Sequence, residues 1–275
     1  AFCCKRGSCN KTGSFKDLCD HFGVHHPELN NLPKIVGTVR KTYEKPNIDD
    51  LKPLTEDIIT YFAIRKISEQ TLNDFRISSD ENGNIVFPFF RNNELTYVKY
   101  RKAKKHTKAD GPKEWSMRNT EPILFGMDNV AFNKPLIITE GQIDAMSLYE
   151  AGCTNVVSVP CGCNNMEWIN LCWDWLESFS QIIIFGDSDE PGIEMCNTLM
   201  KRLGEDRCMI PKEYPELIVN GQSANRSCKD ANEILYCYGP ETLKSIVDAC
   251  EPAPIKGVLN LASVQFVDPT TMPRI

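Results

Sequence analysis

The sequence lacks long hydrophobic runs, a targeting leader and an excess of positive charge. No stretch approaches the roughly 18 consecutive apolar residues that a membrane-spanning helix needs, and no basic-then-apolar segment opens the chain. We therefore expect a soluble protein with no membrane span and no signal peptide. The formal net charge of −6 excludes a general attraction to polyanions, so any contact with nucleic acid must come from a local basic patch.

Cysteine, by contrast, is abundant but follows no regular frame. Thirteen cysteines are scattered over 275 residues, without the spacing of a secreted disulfide scaffold. We expect most of them to be reduced thiols that fill the core in a cytosol-like compartment. The length allows one large domain or two modest ones.

A region in the first half of the chain indicates a small α+β unit. The stretch LTEDIITYFAIRKISEQTLNDF has apolar residues at helical spacing, and Thr55 and Ser68 stand at N-cap positions with acids in the following turns. This pattern predicts two short helices. Next comes a stretch of β character, with Asn92 and Asn93 as turn residues between two strands. Pro88 predicts that the first of these is an edge strand.

From Lys134 onward, strand and helix patterns alternate. The apolar runs PLIITE, NVVSVP, QIIIFGD and RCMIP are separated by helical segments, two of which end at Gly152 and Gly204. One of these segments, MEWINLCWDWLESF, is predicted as a single helix. Continuous apolar strands between amphipathic helices predict an α/β architecture whose parallel sheet is covered on both faces.

Two of the predicted strands end directly in acid. Glu140 follows PLIIT, and Asp187 and Asp189 follow QIIIFG. The ligand crevice of a parallel α/β sheet lies beyond the carboxyl ends of its strands. If these two strands are neighbours, at about 5 Å spacing, the three carboxylates crowd one region and imply a compensating cation. Mg²⁺ fits, because it takes hard oxygen ligands and is usually shared between carboxylates and phosphates.

An alternative role for such acids is to cap the helices that follow the strands. We favour capping for Glu190 and leave it open for Asp144. For the three acids at the strand ends we favour the metal. Gly141 and Gly192 suit this interpretation, since bare backbone lets the chain turn sharply and lets phosphate approach.

The acidic stretches resemble known motifs. EGQIDA at 140–145 is similar to E-G-x-x-D-A, and DSDEPG at 187–192 to D-x-D-x-x-G, of the Toprim domain shared by primases, topoisomerases and some nucleases. CKDANEIL at 228–235 resembles the K-D-A-N-[DE] segment of phage-type primase-helicases, and ILFGMDNV resembles their lead-in to the first motif. The resemblance covers about residues 50–250. It points to the primase half of a bifunctional primase-helicase of the Twinkle-like group.

The resemblance implies a fold and a set of site residues. The fold is a Toprim domain, with a central, mostly parallel sheet and helices on both faces, preceded by a small basic α+β subdomain and a remnant of a zinc ribbon. Glu140, Asp187 and Asp189 would be catalytic and would hold Mg²⁺ or Mn²⁺ together with Asp230. Lys229 would contact phosphate. Whether the first acid is a general base or only a metal ligand stays open.

The implied activity is DNA-templated synthesis of short RNA primers by magnesium-dependent nucleotidyl transfer. Its partners would be single-stranded DNA, ribonucleoside triphosphates and a replicative helicase, with no membrane. We expect a cytoplasmic protein, in the host cytoplasm for a phage and in an organelle matrix for a eukaryote. No P-loop occurs, so these residues should not unwind DNA. The alternatives are a Toprim-type nuclease and a non-catalytic DNA-binding module that serves an attached helicase.

A basic patch lies between residues 99 and 118, where eight lysines and arginines face two acids. This density suits the phosphates of a template or an incoming nucleotide. By likeness to related primases we expect Lys99, Arg101 and Lys113 to bind nucleotide or DNA. The three aromatic side chains of the patch could stack on bases or simply pack within the small sheet: Tyr97, Tyr100 and Trp115.

The first residues contain candidate zinc ligands. Cys4 and Cys9, with His21 and the histidines at 25–26, approximate the spacing of a C₂H₂ finger. We favour a second interpretation, the latter half of a primase zinc ribbon whose other ligands precede Ala1. Zn²⁺ would then be missing or incompletely held here, with the two cysteines as its ligands and Cys3 as a substitute. A metal-free tail is a third. In PCGCNN the family loop does not require cysteine, so we expect no metal there.

These interpretations divide the chain into five parts. They are a partial zinc-ribbon-like segment at 1–30, a linker at 31–53, the basic N-terminal subdomain at 54–133, the Toprim domain at 134–250, and a linker toward a helicase domain at 251–275.

Overall fold

The computed structural model describes residues 2–3, 12–13, 15–23, 41–103, 111–162 and 166–254. Up to residue 129 its elements are β1 Phe2–Cys3, β2 Thr12–Gly13, α1 Phe15–His21, a 3₁₀ turn Ile48–Asp50, α2 Glu56–Ala63, α3 Glu69–Asp74, β3 Ser78–Ser79, β4 Ile85–Arg91, β5 Glu94–Arg101, β6 Glu114–Ser116 and a 3₁₀ turn Met127–Asn129. The later elements are β7 Leu136–Thr139, α4 Gln142–Glu150, β8 Val156–Ser158, α5 Glu167–Leu171, α6 Trp173–Leu176, β9 Ile182–Phe185, α7 Glu190–Leu203, a 3₁₀ turn Glu205–Arg207, β10 Cys208–Ile210, β11 Glu216–Val219, β12 Gln222–Ser227, α8 Ala231–Tyr238, α9 Pro240–Asp248 and β13 Glu251–Pro252.

The N-terminal unit pairs helices α2 and α3 with an antiparallel sheet of order β3-β4-β5-β6. Thr55 and Ser68 cap the two helices, as predicted, since their side chains accept from the amides of Ile58 and Thr71. The β4–β5 turn is also confirmed, because Asn92 and Asn93 both have positive φ. Asparagine tolerates this left-handed conformation better than most residues.

The prediction that Pro88 marks an edge strand is wrong in part. Strand β4 lies between β3 and β5. However, β3 is only two residues long and pairs with Ile85 and Val86 alone. The proline lies beyond that short pairing, where its missing N–H costs no ladder hydrogen bond to β3.

The second unit contains the predicted α/β sheet, with strand order β13-β10-β9-β7-β8. The four strands β10, β9, β7 and β8 pair in parallel, and only β13 is antiparallel. Helix α4 packs on β7 and β8, and α7 packs on β9. This is the expected architecture, and Gly152 ends α4 with the left-handed φ of +85° that glycine adopts freely.

Two details of this unit differ from prediction. The single helix predicted after β8 is broken at Cys172 into α5 and α6. Arg91 donates to the Leu171 carbonyl at 3.3 Å, so this carbonyl is engaged outside the helix.

The hairpin β11–β12 was not predicted, because its strands are largely polar and exposed and show no clear apolar alternation.

One continuous apolar core joins the two units. On the N-terminal side it is aromatic: Phe75 stacks on Phe125 at 5.0 Å between ring centroids and meets the edge of Tyr149, which belongs to α4. On the other side it consists of aliphatic strand residues. Glu150 adds a polar contact, since its carboxylate accepts from the Ser68 amide at 3.1 Å. The N-terminal unit is therefore held in a fixed orientation against the parallel sheet.

The segments that border these two units also make defined contacts. In the predicted linker, Glu44 bridges to Thr120 and Lys52 pairs with Ser79. At the other end, Glu251–Pro252 pairs with β10, so these two residues of the predicted linker belong to the sheet. The domain boundaries otherwise stay predictions.

The described residues contain no helix that is long and apolar enough to cross a membrane. Several cysteines fill the core as thiols outside any disulfide, in line with expectation: Cys153, Cys172, Cys208, Cys228 and Cys250.

Candidate active site

The two acid-tipped strands are hydrogen-bonded neighbours. Strands β7 and β9 pair in parallel, and their last paired residues are Thr139 and Phe185. Glu140 follows directly on one strand, and Asp187 follows after Gly186 on the other. The predicted adjacency is confirmed, and the carboxylates leave the sheet at the same edge.

Two glycines allow the close backbone approaches that this edge requires. A Cβ on Gly192 would lie 2.4 Å from the Asp187 carbonyl oxygen, and one on Gly141 would lie 2.4 Å from Asp144 Oδ2. Both separations are far below van der Waals contact. A side chain at either position would therefore push an acid away from the site.

Helix capping falls on different acids from those we expected. Asp189 caps α7, with Oδ1 accepting from the Gly192 amide at 3.0 Å. Asp230 caps α8, with Oδ1 accepting from the Glu233 amide at 2.8 Å. Asp144, for which capping was left open, is not the N-cap of α4, because that position belongs to Gly141. Capping occupies one carboxylate oxygen and leaves the second for another partner.

Lys229 lies between two of the acids. Its ammonium is 3.0 Å from Asp187 Oδ2 and 3.0 Å from Asp189 Oδ2. Hydrogen bonds to Asp189 and Asp187 raise the pKa of Lys229, so the ammonium remains charged. Lys229 therefore pairs with two acids of the acidic edge, the strand ends that carry Glu140, Asp187 and Asp189, and its phosphate contact stays a prediction.

One lysine does not neutralise the whole cluster. Burial, followed by the charges of Asp187 and Asp189, raises the pKa of Glu140. Burial also raises the pKa of Asp187, even though Lys229 opposes the shift, and it raises the pKa of Asp230. The exception is Asp189, whose pKa is lowered, chiefly by its hydrogen bond from the lysine.

The acids suit a divalent cation chemically. Glu140 Oε2 is buried and has no hydrogen-bond partner among the described residues, so it retains an unused ligand oxygen. Carboxylates are the donors that Mg²⁺ and Mn²⁺ prefer. Within the described part of the chain, however, no three acidic, thiol or imidazole groups are already arranged to hold an ion. A metal ion would compete with Lys229 for Asp187 Oδ2 and Asp189 Oδ2. The four ligands proposed from sequence stay a prediction: Glu140, Asp187, Asp189 and Asp230.

A cavity of about 220 Å³ lies between the N-terminal unit and residues 141–144, which follow Glu140. Asp144 and Asp230 line one side of it, and cations line the other. The cationic side chains of the lining are Arg65, Lys99 and Arg101. Lys113 adds to this field, since Arg101 is the main cause that lowers the pKa of Lys113. The three cations predicted from sequence thus lie at one site, and their binding role stays a prediction.

The cavity side formed by Arg65, Lys99 and Arg101 is called the basic wall below. Glu114 holds two of these cations in place. It lies opposite Arg101 across the β5–β6 ladder and forms an ion pair with it. Its other oxygen is 2.9 Å from Lys99 Nζ. Nearby cations lower the pKa of Glu114 against the effect of burial, which is the largest single cause. The Nε of Arg101 is buried without a partner among the described residues.

Arg65 is the site residue that sequence reasoning missed. It follows α2, packs over the Tyr61 ring at 3.6 Å from the centroid and donates to the Tyr61 carbonyl at 2.7 Å. Burial lowers the pKa of Arg65, and Arg101 lowers it further. A single arginine at a helix end gives no signal in the sequence, because only the fold brings it beside β5.

The aromatic side chains of the basic patch are packed against other rings. Tyr97 is buried and meets Phe89 edge to face. Tyr100 and Trp115 stack on each other at 5.5 Å. In this structure the three rings therefore pack within the small sheet, which was one of the two alternatives. Lys104, Lys105, Lys108, Cys4, Cys9, His25, His26 and Cys163 lie outside the described residues.

The fold and the acidic edge define a Toprim-domain protein. Residues 137–235 match the family model described as Toprim-like. The chain is 34% identical over 229 residues to a Twinkle homolog protein, chloroplastic/mitochondrial, of Arabidopsis thaliana, and 33% identical over 238 residues to a primase homolog protein of the same plant. The chain therefore belongs to the Twinkle-like family of Toprim primases.

Solved structures agree on the fold. The primase fragment of the bacteriophage T7 primase-helicase matches with a TM-score of 0.53 and 21% identity, over 78% of this chain and 83% of that one. The Aquifex aeolicus primase, with its zinc-binding and RNA polymerase domains, matches with a TM-score of 0.55 and 14% identity, over 72% and 56%.

The chain covers unequal shares of its relatives. It spans 30% of the length of the Twinkle homolog and 67% of the primase homolog. These matches take up 77% and 79% of the present chain.

Proposed function

We propose that this protein is a DNA primase, which synthesises short RNA primers on single-stranded DNA by divalent-metal-dependent nucleotidyl transfer. One observation carries the proposal. Glu140 and Asp187 lie at adjacent strand ends, and the neighbouring cavity is lined by residues 141–144 and Asp230 on one side and by Arg65, Lys99 and Arg101 on the other. Such a site has an acidic side suited to cations and a basic side suited to phosphates, which nucleotidyl transfer requires together.

The proposed roles follow from this arrangement. Glu140, Asp187, Asp189 and Asp230 would hold Mg²⁺ or Mn²⁺, which when bound would stabilise both the attacking 3′-oxygen and the leaving pyrophosphate. The raised pKa of Glu140 also suits proton acceptance from the 3′-hydroxyl. Lys229 would pass from the aspartates to the nucleotide phosphates as the metal binds.

The basic wall would bind the anionic substrates. Lys99, Arg101 and Lys113 were proposed from sequence for nucleotide or DNA, and Arg65 joins them by its place in the cavity. Of these four cations, Lys99 and Arg101 form ion pairs with Glu114. The surplus of positive charge favours triphosphate and template phosphates.

The wider assignments rest on the relatives. We propose ribonucleoside triphosphates and single-stranded DNA as substrates, and a replicative helicase as partner, by likeness to the Twinkle homolog and the T7 primase-helicase. Zn²⁺ bound by Cys4 and Cys9 is proposed on the sequence alone. The name of the Twinkle homolog mentions chloroplasts and mitochondria, which favours an organelle matrix over a cytoplasm.

The test is an assay with labelled ribonucleotides, single-stranded template and Mn²⁺ or Mg²⁺. We expect metal-dependent oligoribonucleotides, and their loss in Glu140→Gln. DNA fragments formed without nucleotides would indicate a nuclease instead. DNA binding with no metal uptake and no product would indicate a non-catalytic module.

A further inference from the structure

Gln142 is a buried polar residue inside the first acidic motif, and none of the roles above uses it. It is the first residue of α4, and only 4% of it is exposed. Its side chain faces the basic wall of the cavity instead of the acidic edge. A buried amide is costly unless it is fully hydrogen-bonded, so its partners indicate what it does.

Three hydrogen bonds satisfy this amide. Nε2 donates to Ser158 Oγ at 3.0 Å and to the Val159 carbonyl at 2.8 Å. Oε1 accepts from Lys99 Nζ at 2.9 Å. The amide therefore connects the end of β8 in the Toprim sheet to β5 in the N-terminal unit.

The chemistry of the partners fixes the orientation of the amide. A backbone carbonyl can only accept, so the group that faces Val159 must be the NH₂. A lysine ammonium can only donate, so the group that faces Lys99 must be the oxygen. Rotating the amide by half a turn would break both hydrogen bonds, and Gln142 is held in one orientation.

This orientation determines where the ammonium of Lys99 lies. Of its three N–H donors, one goes to Gln142 and one goes to Glu114 Oε2 at 2.9 Å. Among the described residues no further acceptor takes the third donor, and the side chain lines the cavity. Because the amide is neutral, it holds the lysine without cancelling its charge.

We propose that Gln142 is a positioning residue, which fixes Lys99 so that its remaining donor meets a nucleotide phosphate in the cavity. The inference rests on the proposed function, since it needs a nucleoside triphosphate to bind there. It assigns a role to a position of the motif that touches neither the metal nor the reacting atoms.

A double-mutant cycle tests this coupling. The affinity of ATP in the presence of Mn²⁺ is measured by titration calorimetry for the wild type, Gln142→Met, Lys99→Met and the double variant. Methionine keeps the length and the apolar bulk but makes none of the three hydrogen bonds. Gln181→Met is the matched control, since Gln181 lies at the opposite end of the sheet.

We expect Gln142→Met to weaken ATP binding about ten-fold, as for the loss of a hydrogen bond to a charged group, with little change in kcat. In the Lys99→Met background the same substitution should have almost no further effect. Gln142→Glu should weaken ATP binding at least as much, because a carboxylate faces the Val159 carbonyl and lies near the phosphate. The control should bind ATP like the wild type.

Three results would overturn the inference. If the effects of Gln142→Met and Lys99→Met multiply, the glutamine acts independently of the lysine. If Gln142→Glu binds ATP like the wild type, the residue only fills space. With either of these two results, primer synthesis by the wild type would still support the proposed function. The third result is a wild type that binds no ATP, which would contradict both the role of Gln142 and the proposed function.

Discussion

The acidic edge and the basic wall differ in how their charges are compensated. On the basic wall, Glu114 contacts both Lys99 and Arg101 through separate oxygens. On the acidic edge, Lys229 contacts Asp187 and Asp189 but leaves Glu140 Oε2 without a partner. Lys99 and Arg101 thus share an acid within their own sheet, whereas Asp187 and Asp189 share a single lysine on a neighbouring loop.

This difference indicates how the two sides would respond to ligands. Like charges that lie close together repel unless a counter-charge joins them. The acids repel each other and are partly desolvated, as the raised pKa values of Glu140 and Asp187 indicate. The basic wall is preorganised and short of anions. A metal–nucleotide complex would supply what each side lacks.

The largest expected effect comes from removing an acid at a strand end. Asp187→Asn should lower primer synthesis by about 10²- to 10³-fold, because the proposed metal site would lose this carboxylate. Product formation with labelled nucleotides provides the measurement. The thermal unfolding midpoint should not fall, since asparagine has the same shape and no charge to bury.

The matched control is Asp174→Asn, which changes an exposed acid of α6. It should retain full activity. If Asp187→Asn is as active as this control, the acidic edge has no role in the chemistry.

Next in size is the loss of a cation from the basic wall. Arg65→Met should weaken nucleotide binding about ten-fold, as for the loss of a charged hydrogen bond. It should also reduce the slope of log affinity against log salt concentration by about one, the share of one released counter-ion. Titration at several salt concentrations measures both. Arg202→Met, which alters a surface arginine of α7, should change neither. Equal effects of the two variants would place Arg65 outside the nucleotide site.

A smaller effect, opposite in sign for two ligands, is expected at Lys229. Its ammonium competes with metal for Asp187 and Asp189. Lys229→Met should therefore tighten binding of Mn²⁺ alone by roughly two- to five-fold, as expected for a partly exposed ion pair, but weaken binding of the metal–nucleotide complex. Lys212→Met is the control at an exposed lysine. Weaker binding of Mn²⁺ alone would show that the lysine does not compete.

The smallest expected effect concerns stability without metal. Burial, then the charges of Asp230 and Asp187, raises the pKa of Asp144 well above its ordinary 3.8. Between pH 3.8 and the higher folded pKa, the folded state therefore keeps a proton that the unfolded chain has lost. That contribution is present below pH 3.8 and is lost as the pH rises through the higher folded value. The free energy of unfolding should therefore fall over this range, and Asp144→Asn should reduce the slope. Urea titrations between pH 4 and 8 measure it; identical slopes would contradict the account of Asp144.

Local patterns predicted the features that depend on nearby residues. The caps at Thr55 and Ser68 and the turn at Asn92 need only their own neighbours. The meeting of Glu140 and Asp187 could also be predicted, because both end apolar strands of one parallel sheet. The β11–β12 hairpin carried the usable turn signal Asn220-Gly221, which its polar strands obscured.

Features that depend on tertiary contacts could not be predicted. Glu114 looked like an acid that dilutes a basic patch, and only the β5–β6 register makes it the partner of Arg101. The placement of Arg65 depends on how α2 packs against β5. The contacts of Lys229 with Asp187 and Asp189 could not be predicted either, because the sequence does not reveal which charge pairs with these aspartates; the phosphate contact of Lys229 stays a prediction.

Titration of the metal-free protein with Mn²⁺ tests most directly whether the acids from separate strands form one divalent-cation site. The wild type should bind Mn²⁺ saturably, more tightly as the pH rises and the acids lose their protons, and Glu140→Gln should weaken that binding by about ten-fold. If the wild type binds no Mn²⁺, or if Glu140→Gln binds it equally well, the acids do not form a metal site.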